Sequence, residues 1–262
     1  MKLTAKSKFG ISVAVLTFSL FAGSPVRAQA PAKADPPANA PAAALPSSDD
    51  VIRHYVQAVG GAEALKKFTS RQIIGTLEIP RMSVSGTLES HEKAPNKMMS
   101  VVVVAGATFK RGFDGTIGWA DDPQNGLRDL TGDELTDTKR EADFYRPLDL
   151  QKIYSKISVQ GTDKVGDHDA YVVEASMGSG DPDKLFFDKT SGLLIHSVLT
   201  QHTPQGAVTV EEDLGDYQDA DGEKIPFTIK QSTPQIEFTI KISEVHHNVQ
   251  FDDAQFAKPA AE

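Results

Sequence analysis

The chain has 262 residues, a formal net charge of −9 at pH 7 and no cysteine. Without cysteine there are no disulfides, no lipid-modified cysteine and no covalent haem, so a packed core must supply the stability. The acidic balance disfavours nucleic acid and anionic membrane surfaces as partners and suits a soluble monomer.

The N-terminus reads as an export signal. Lys2, Lys6 and Lys8 precede an apolar run from Phe9 to Ala22, too short to span a bilayer as an ordinary helix. Small residues allow cleavage after Ala28 or Ala30, and Pro31 disfavours the second site. We therefore expect a signal peptide over residues 1–28 and a periplasmic mature protein without a lipid anchor. Residues 29–47 are rich in Pro and Ala and are expected to form a disordered linker. Residues 48–258 are then one folded domain.

Ser48 is a good N-cap, with Asp49 and Asp50 in the first turn, where the helix dipole favours acids. Ile52, Tyr55, Val56 and Val59 recur at helical spacing, and Gly60-Gly61 ends that helix. A short helical piece follows from Ala62 to Phe68. Strands begin near Arg71, with Ile73, Leu77 and Ile79 alternating with polar neighbours, and Met82, Val84 and Leu88 do the same. Met98 to Val104 is almost continuously apolar and is expected to be covered on both faces. Phe109 to Phe113 and Ile117 to Ala120 form a hairpin about Asp114-Gly115, and Leu127 to Leu130 is a short strand.

Thr131 and Glu134 have capping-box spacing, opening a helix that runs to about Tyr145 and ends at Pro147. Asp149 then caps a further short helix. Strands resume at Ile157, and tight turns at Gly166, Gly192, Gly206 and Gly222 punctuate a long meander. In its last two strands Ile225, Phe227 and Ile229 share one face, as do Ile236, Phe238, Ile240 and Ile242. Phe251 and Phe256 flank a helical turn that packs back on the body.

The class is α+β, mostly antiparallel β, with about 11 strands. At about 4.8 Å per strand such a sheet is roughly 50 Å across, and helices about 10 Å wide cover only part of it. The sheet must curl, leaving an apolar hollow under a helical lid. Candidate ligand-lining residues are Trp119, Ile225, Phe227, Ile229, Phe238 and Ile240, with plain core as the alternative for Trp119, the single tryptophan.

Chemistry-bearing motifs are sparse. His246 and His247 are adjacent, so on a strand they point to opposite faces and cannot both ligate one metal. Asp216, Asp219 and Asp221 lack the spacing and terminal glutamate of a calcium loop and read as a solvated turn. The zinc-protease, nucleophile-elbow, phosphate-loop and dinucleotide motifs are missing.

The phrases Leu185–Leu194 (LFFDKTSGLL), Asp216–Phe227 (DYQDADGEKIPF) and Gly115–Trp119 (GTIGW) resemble the outer-membrane lipoprotein carrier superfamily, the LolA-like and LolB-like proteins. The likeness spans the domain in its order of elements. It implies a strongly curved half-barrel with helices over the concave face. It also implies a non-catalytic periplasmic protein that holds an acyl chain, lipid or lipoprotein anchor in the hollow, with no cofactor and no metal. The alternatives are an envelope interaction or sensor protein using the same cup for a protein partner, and a hydrolase.

Overall fold

The computed structural model describes residues 44–178 and 181–260. The expected signal peptide and residues 29–43 of the expected linker lie outside them. The chain first forms helices α1 (Ser48–Ala58) and α2 (Ala62–Leu65). A first meander follows: β1 (Ser70–Ile79), β2 (Val84–Lys93), β3 (Lys97–Val104), β4 (Ala107–Phe113), β5 (Gly118–Asp122) and β6 (Gly126–Asp129). Helices α3 (Gly132–Glu141) and α4 (Arg146–Ile153) come next. The second meander is β7 (Lys156–Val165), β8 (His168–Ser176), β9 (Asp183–Asp188), β10 (Leu194–Thr203), β11 (Gly206–Ala220), β12 (Glu223–Ser232) and β13 (Glu237–His247).

All these strands form one antiparallel sheet in the order β6-β5-β4-β3-β2-β1-β13-β12-β11-β10-β9-β8-β7. It has 13 strands rather than about 11. The β1–β13 ladder joins the two meanders, so β6 and β7 are the free edges. The segment between those edges carries α3 and α4, which must therefore cross the sheet. Helix α3 touches β4 and β5 on one side and β10 on the other. In a flat sheet β5 and β10 would lie eight strand spacings, about 38 Å, apart. A helix about 10 Å wide reaches both only because the sheet is strongly curved and α3 lies on its concave face.

Apolar packing divides into two larger clusters and a small one of Met98, Phe113 and Ala142 beside Leu135. Leu77, Val102, Val104, Phe109 and Phe238 fill the part framed by β1, β3, β4 and β13. Val51 and Ile52 of α1, Leu150 of α4 and Val173, Leu185 and Phe187 of β8 and β9 fill the other. The convex face is open over β3: Val102 and Val104 are buried, whereas Val103 is 40% exposed. The expected double covering of that strand does not occur, because a single curved layer has helices on one side only.

Local signals shift by a residue or a role. The α1 cap is Ser47, whose hydroxyl accepts the Asp50 N–H at 3.1 Å, and Ser48 is already helical. Gly60 is left-handed (φ 125°), and a Cβ there would sit 2.2 Å from the Gly222 carbonyl. The end of α1 thus seats directly against the β11–β12 turn. Thr131 precedes α3 without a side-chain cap, and the Glu134 carboxylate of the expected capping box is taken by Arg128. Pro147 does not end a helix; it lies in the first turn of α4, where a missing N–H costs nothing, and Asp149 is inside that helix rather than its cap.

Candidate ligand cavity

A cavity of about 480 Å³ lies between the concave face and the helices. The period-two alternation of β12 and β13 puts Ile225, Ile229, Phe238 and Ile240 on its wall. Ile229 and Ile240 are direct cross-strand partners, so they form one apolar strip. Tyr55, Leu185, Phe187 and Leu199 continue that wall on the α1 side.

Phe227 and Trp119 are not on the wall. Phe227 is half-buried, and the β11–β12 ladder skips the Asp216/Phe227 pair where Asp216 adopts a left-handed backbone (φ 52°). The β12–β13 ladder also reaches only as far as Thr228. Phe227 thus falls at a gap in the sheet. Trp119 is 2% exposed but belongs to the convex side. Its β5 neighbours Ala120 and Asp122 line the cavity, so alternation points the indole the other way. There the C-terminal segment covers it, and its ring fills the space that a Cβ on Gly112 would need, 2.5 Å away. Trp119 is core.

The wall also carries charge that the apolar pattern did not reveal. Arg71 bonds Glu92 at 2.6 Å and Glu223 at 2.8 Å. Burial alone would lower the Arg71 pKa, but the two carboxylates outweigh it and hold the guanidinium firmly charged. Glu223 is also buried, which opposes its ionisation, yet His247 and Arg71 keep its carboxyl below the usual range.

Helix α3 is fastened to the sheet by Leu135, which packs beside Met98 and Phe113, and by a set of polar contacts. On the β4–β6 side, Arg128 makes a bidentate pair with Glu134, both bonds at 2.8 Å, and Arg111 reaches Glu141 at 3.2 Å. On the other side Arg140 bonds Asp183 at 2.6 Å, and the Tyr154 hydroxyl donates to the same carboxylate at 2.8 Å. Asp137, 2% exposed, accepts the backbone N–H of His202 at 2.7 Å. Burial and then Asp183 push the Tyr154 hydroxyl pKa up, so it stays a donor. Sequence reading missed this cluster. Its trace in the chain is Glu134, Asp137, Thr138, Arg140 and Glu141, polar residues on nearly every face of a helix that lies on a sheet.

Among solved structures, a LolA superfamily protein from Nitrosomonas europaea superposes with a TM-score of 0.53. Its identity to this chain is 11%, over 82% of this chain and 99% of its own. The fold is LolA-like. A DUF1329 family protein from Desulfovibrio piger matches with a TM-score of 0.51 and 12% identity, over 80% of this chain and 96% of its own. No protein-family model and no curated protein matches the sequence. The likeness is therefore one of architecture, and the LolA-like half-barrel expected from the strand-and-turn phrases is present.

No group of three or more His, Cys, Asp or Glu side chains suited to a metal occurs among the described residues. His247 instead bonds Glu223 and Asp221 and stacks on Phe68, while His246 pairs with Glu244.

Proposed function

We propose that this protein is an exported, non-catalytic binding protein that holds an acyl chain of a lipid or lipoprotein in the cavity under α3 and α4. The observation that carries the reading is the set of apolar side chains Ile225, Ile229, Phe238 and Ile240 facing a cavity of about 480 Å³. That volume falls within the range of about 300–1,000 Å³ typical of small-molecule sites. Each methylene removed from water contributes about 0.8 kcal/mol, so an apolar recess of this kind favours a chain that water rejects. The export signal read in residues 1–28 would bring such a protein to the envelope, where acylated molecules need shielding. Architecture shared with a LolA superfamily protein is compatible with this role.

The test is native mass spectrometry of protein purified from its own periplasm, with organic extraction of the same sample. A co-purifying acyl compound is expected. A folded protein with an empty extract that also binds no neutral apolar fluorophore overturns the reading.

A further inference from the structure

Five arginines line the cavity, and four of them are neutralised. Arg71, Arg111, Arg128 and Arg140 each have a carboxylate within 3.2 Å. Arg146 has none among the described residues, although it lines the same cavity and is exposed at its edge. No acid bonds the Arg146 side chain among the described residues, although Asp143 feels its charge. Glu223 is bonded to Arg71 and His247, Glu212 to Ser197 and Gln231, and Asp143 accepts the Tyr145 N–H.

Three tyrosine hydroxyls feel the Arg146 charge: Tyr55, Tyr154 and Tyr217. Tyr154 donates to Asp183, and Tyr217 donates to the Leu194 carbonyl. Tyr55 lines the cavity and its hydroxyl has no hydrogen-bond partner among the described residues, while its ring packs on Phe187 at 5.2 Å. An unpaired guanidinium and an unpaired hydroxyl, among the described residues, thus line the same recess. A hydroxyl set against apolar surface favours a partner, and a guanidinium donates strongly to carboxylate or phosphate oxygens.

We propose that Arg146 and Tyr55 form a head-group site for an anionic single-chain amphiphile, a carboxylate or phosphate head held at the rim with its chain along Ile225, Ile229, Phe238 and Ile240. This rests on the acyl-binding reading above. The cavity of about 480 Å³ lies in the lower half of the range of about 300–1,000 Å³ typical of small-molecule sites, which favours one chain over several. The fit is to a fatty acid or a lysophospholipid rather than to a bulky multi-chain lipid.

The experiment displaces a neutral apolar fluorophore with palmitic acid and, separately, with cetyl alcohol, which has the same chain and no charge. Wild type is expected to bind the acid about 10-fold more tightly than the alcohol, as a charge-assisted contact provides. Arg146→Gln is expected to abolish that preference while leaving the alcohol unchanged. Tyr55→Phe, which keeps the ring on Phe187, is expected to reduce the preference in part. An unchanged acid-to-alcohol ratio in Arg146→Gln overturns the head-group site while leaving the acyl reading standing. Inorganic phosphate that binds wild type as tightly as palmitic acid does, and loses that binding in Arg146→Gln, overturns the amphiphile and leaves a free-anion site. Failure of the acid, the alcohol and the fluorophore alike overturns the acyl reading itself.

Discussion

The indole N–H of Trp119 donates to the backbone carbonyl of Phe256 at 2.9 Å, across 137 residues of sequence. That bond belongs to a strap. After β13 the chain leaves the middle of the sheet and crosses the outer side of β1 to β6. The Ser70 hydroxyl donates to the Val249 carbonyl at 2.6 Å, and Phe251 stacks on His91 at 4.5 Å. Lys93 and Lys97 both bond Asp253 at 2.7 Å, and Lys258 reaches Asp129 at 2.8 Å. The strap ties the second meander to the far strands of the first.

Phe256 is 0% exposed and should be the anchor of this strap. Phe256→Ala is expected to cost about 3–5 kcal/mol by urea unfolding, as large-to-small core changes do. Trp119→Phe keeps an aromatic ring but removes the donor, and should cost about 1–3 kcal/mol. Neither residue faces the cavity, so affinity for an apolar fluorophore should be retained at temperatures where the variants stay folded. A binding loss without unfolding would place the cavity elsewhere.

The polar fastening of α3 has its own signature. Arg140 is 7% exposed on its side chain and bonded to a carboxylate that is 4% exposed. Arg140→Ala leaves Asp183 buried without its cation and is expected to cost about 3–5 kcal/mol. Lys152→Ala removes an exposed ion pair with Asp149 and should leave the unfolding midpoint unchanged. Equal effects of the two changes would show that burial does not govern these pairs.

Cavity lining separates two phenylalanines on neighbouring strands. Phe238→Leu conserves most of the apolar volume and should cost less than about 1.5 kcal/mol, yet it should change the affinity of a fluorescent fatty acid. Phe227→Leu, at the gap in the β11–β12 ladder, should leave that affinity alone. Titration of the probe against both variants checks this, and the reverse pattern would contradict the wall described above.

Acid should weaken the fold. Glu223 is held below the ordinary carboxylate range because His247 and Arg71 outweigh its burial. Asp188 is likewise lowered, with Ser191 and His168 overcoming burial, and Asp253 is lowered to about 2 by Lys93 and Lys97. A carboxyl with a depressed folded pKa contributes stability that is complete above its unfolded value, about 4, and lost as pH falls through the folded value. Asp143 acts in the opposite sense, since burial and Asp149 raise its pKa. Asp50 and Glu89 are lowered as well, and five lowered groups against one raised group predict a urea midpoint that falls between about pH 5 and about pH 2.5. Glu223→Gln should flatten the upper part of that fall. A midpoint that rises on acidification would show that Asp143 dominates.

Much of the architecture was legible because strands announce themselves locally. Alternation in Ile225–Ile229 and Ile236–Ile242 and the glycine turns are properties of neighbouring residues, so they mark an antiparallel meander before any contact is known. The same alternation says that one face is apolar without saying which side of a curved sheet it meets. Trp119 shows the limit: it lies on a good strand, but the C-terminal strap, far away in sequence, turns its convex side into core. Phe227 shows another, since an apolar position joins the wall only if the ladder continues past it. The charged fastening of α3 was invisible for the same reason. Glu134 looked like a capping residue until Arg128 on β6 was brought beside it, and Arg140 had no meaning until β9 carried Asp183 to it. The sequence by itself determined the strands, their turns and the shortage of helix that forces the sheet to curl. The tertiary structure decided which side chains face the hollow and which charges meet, because contacts across a strongly curved sheet depend on distances that chain order does not contain.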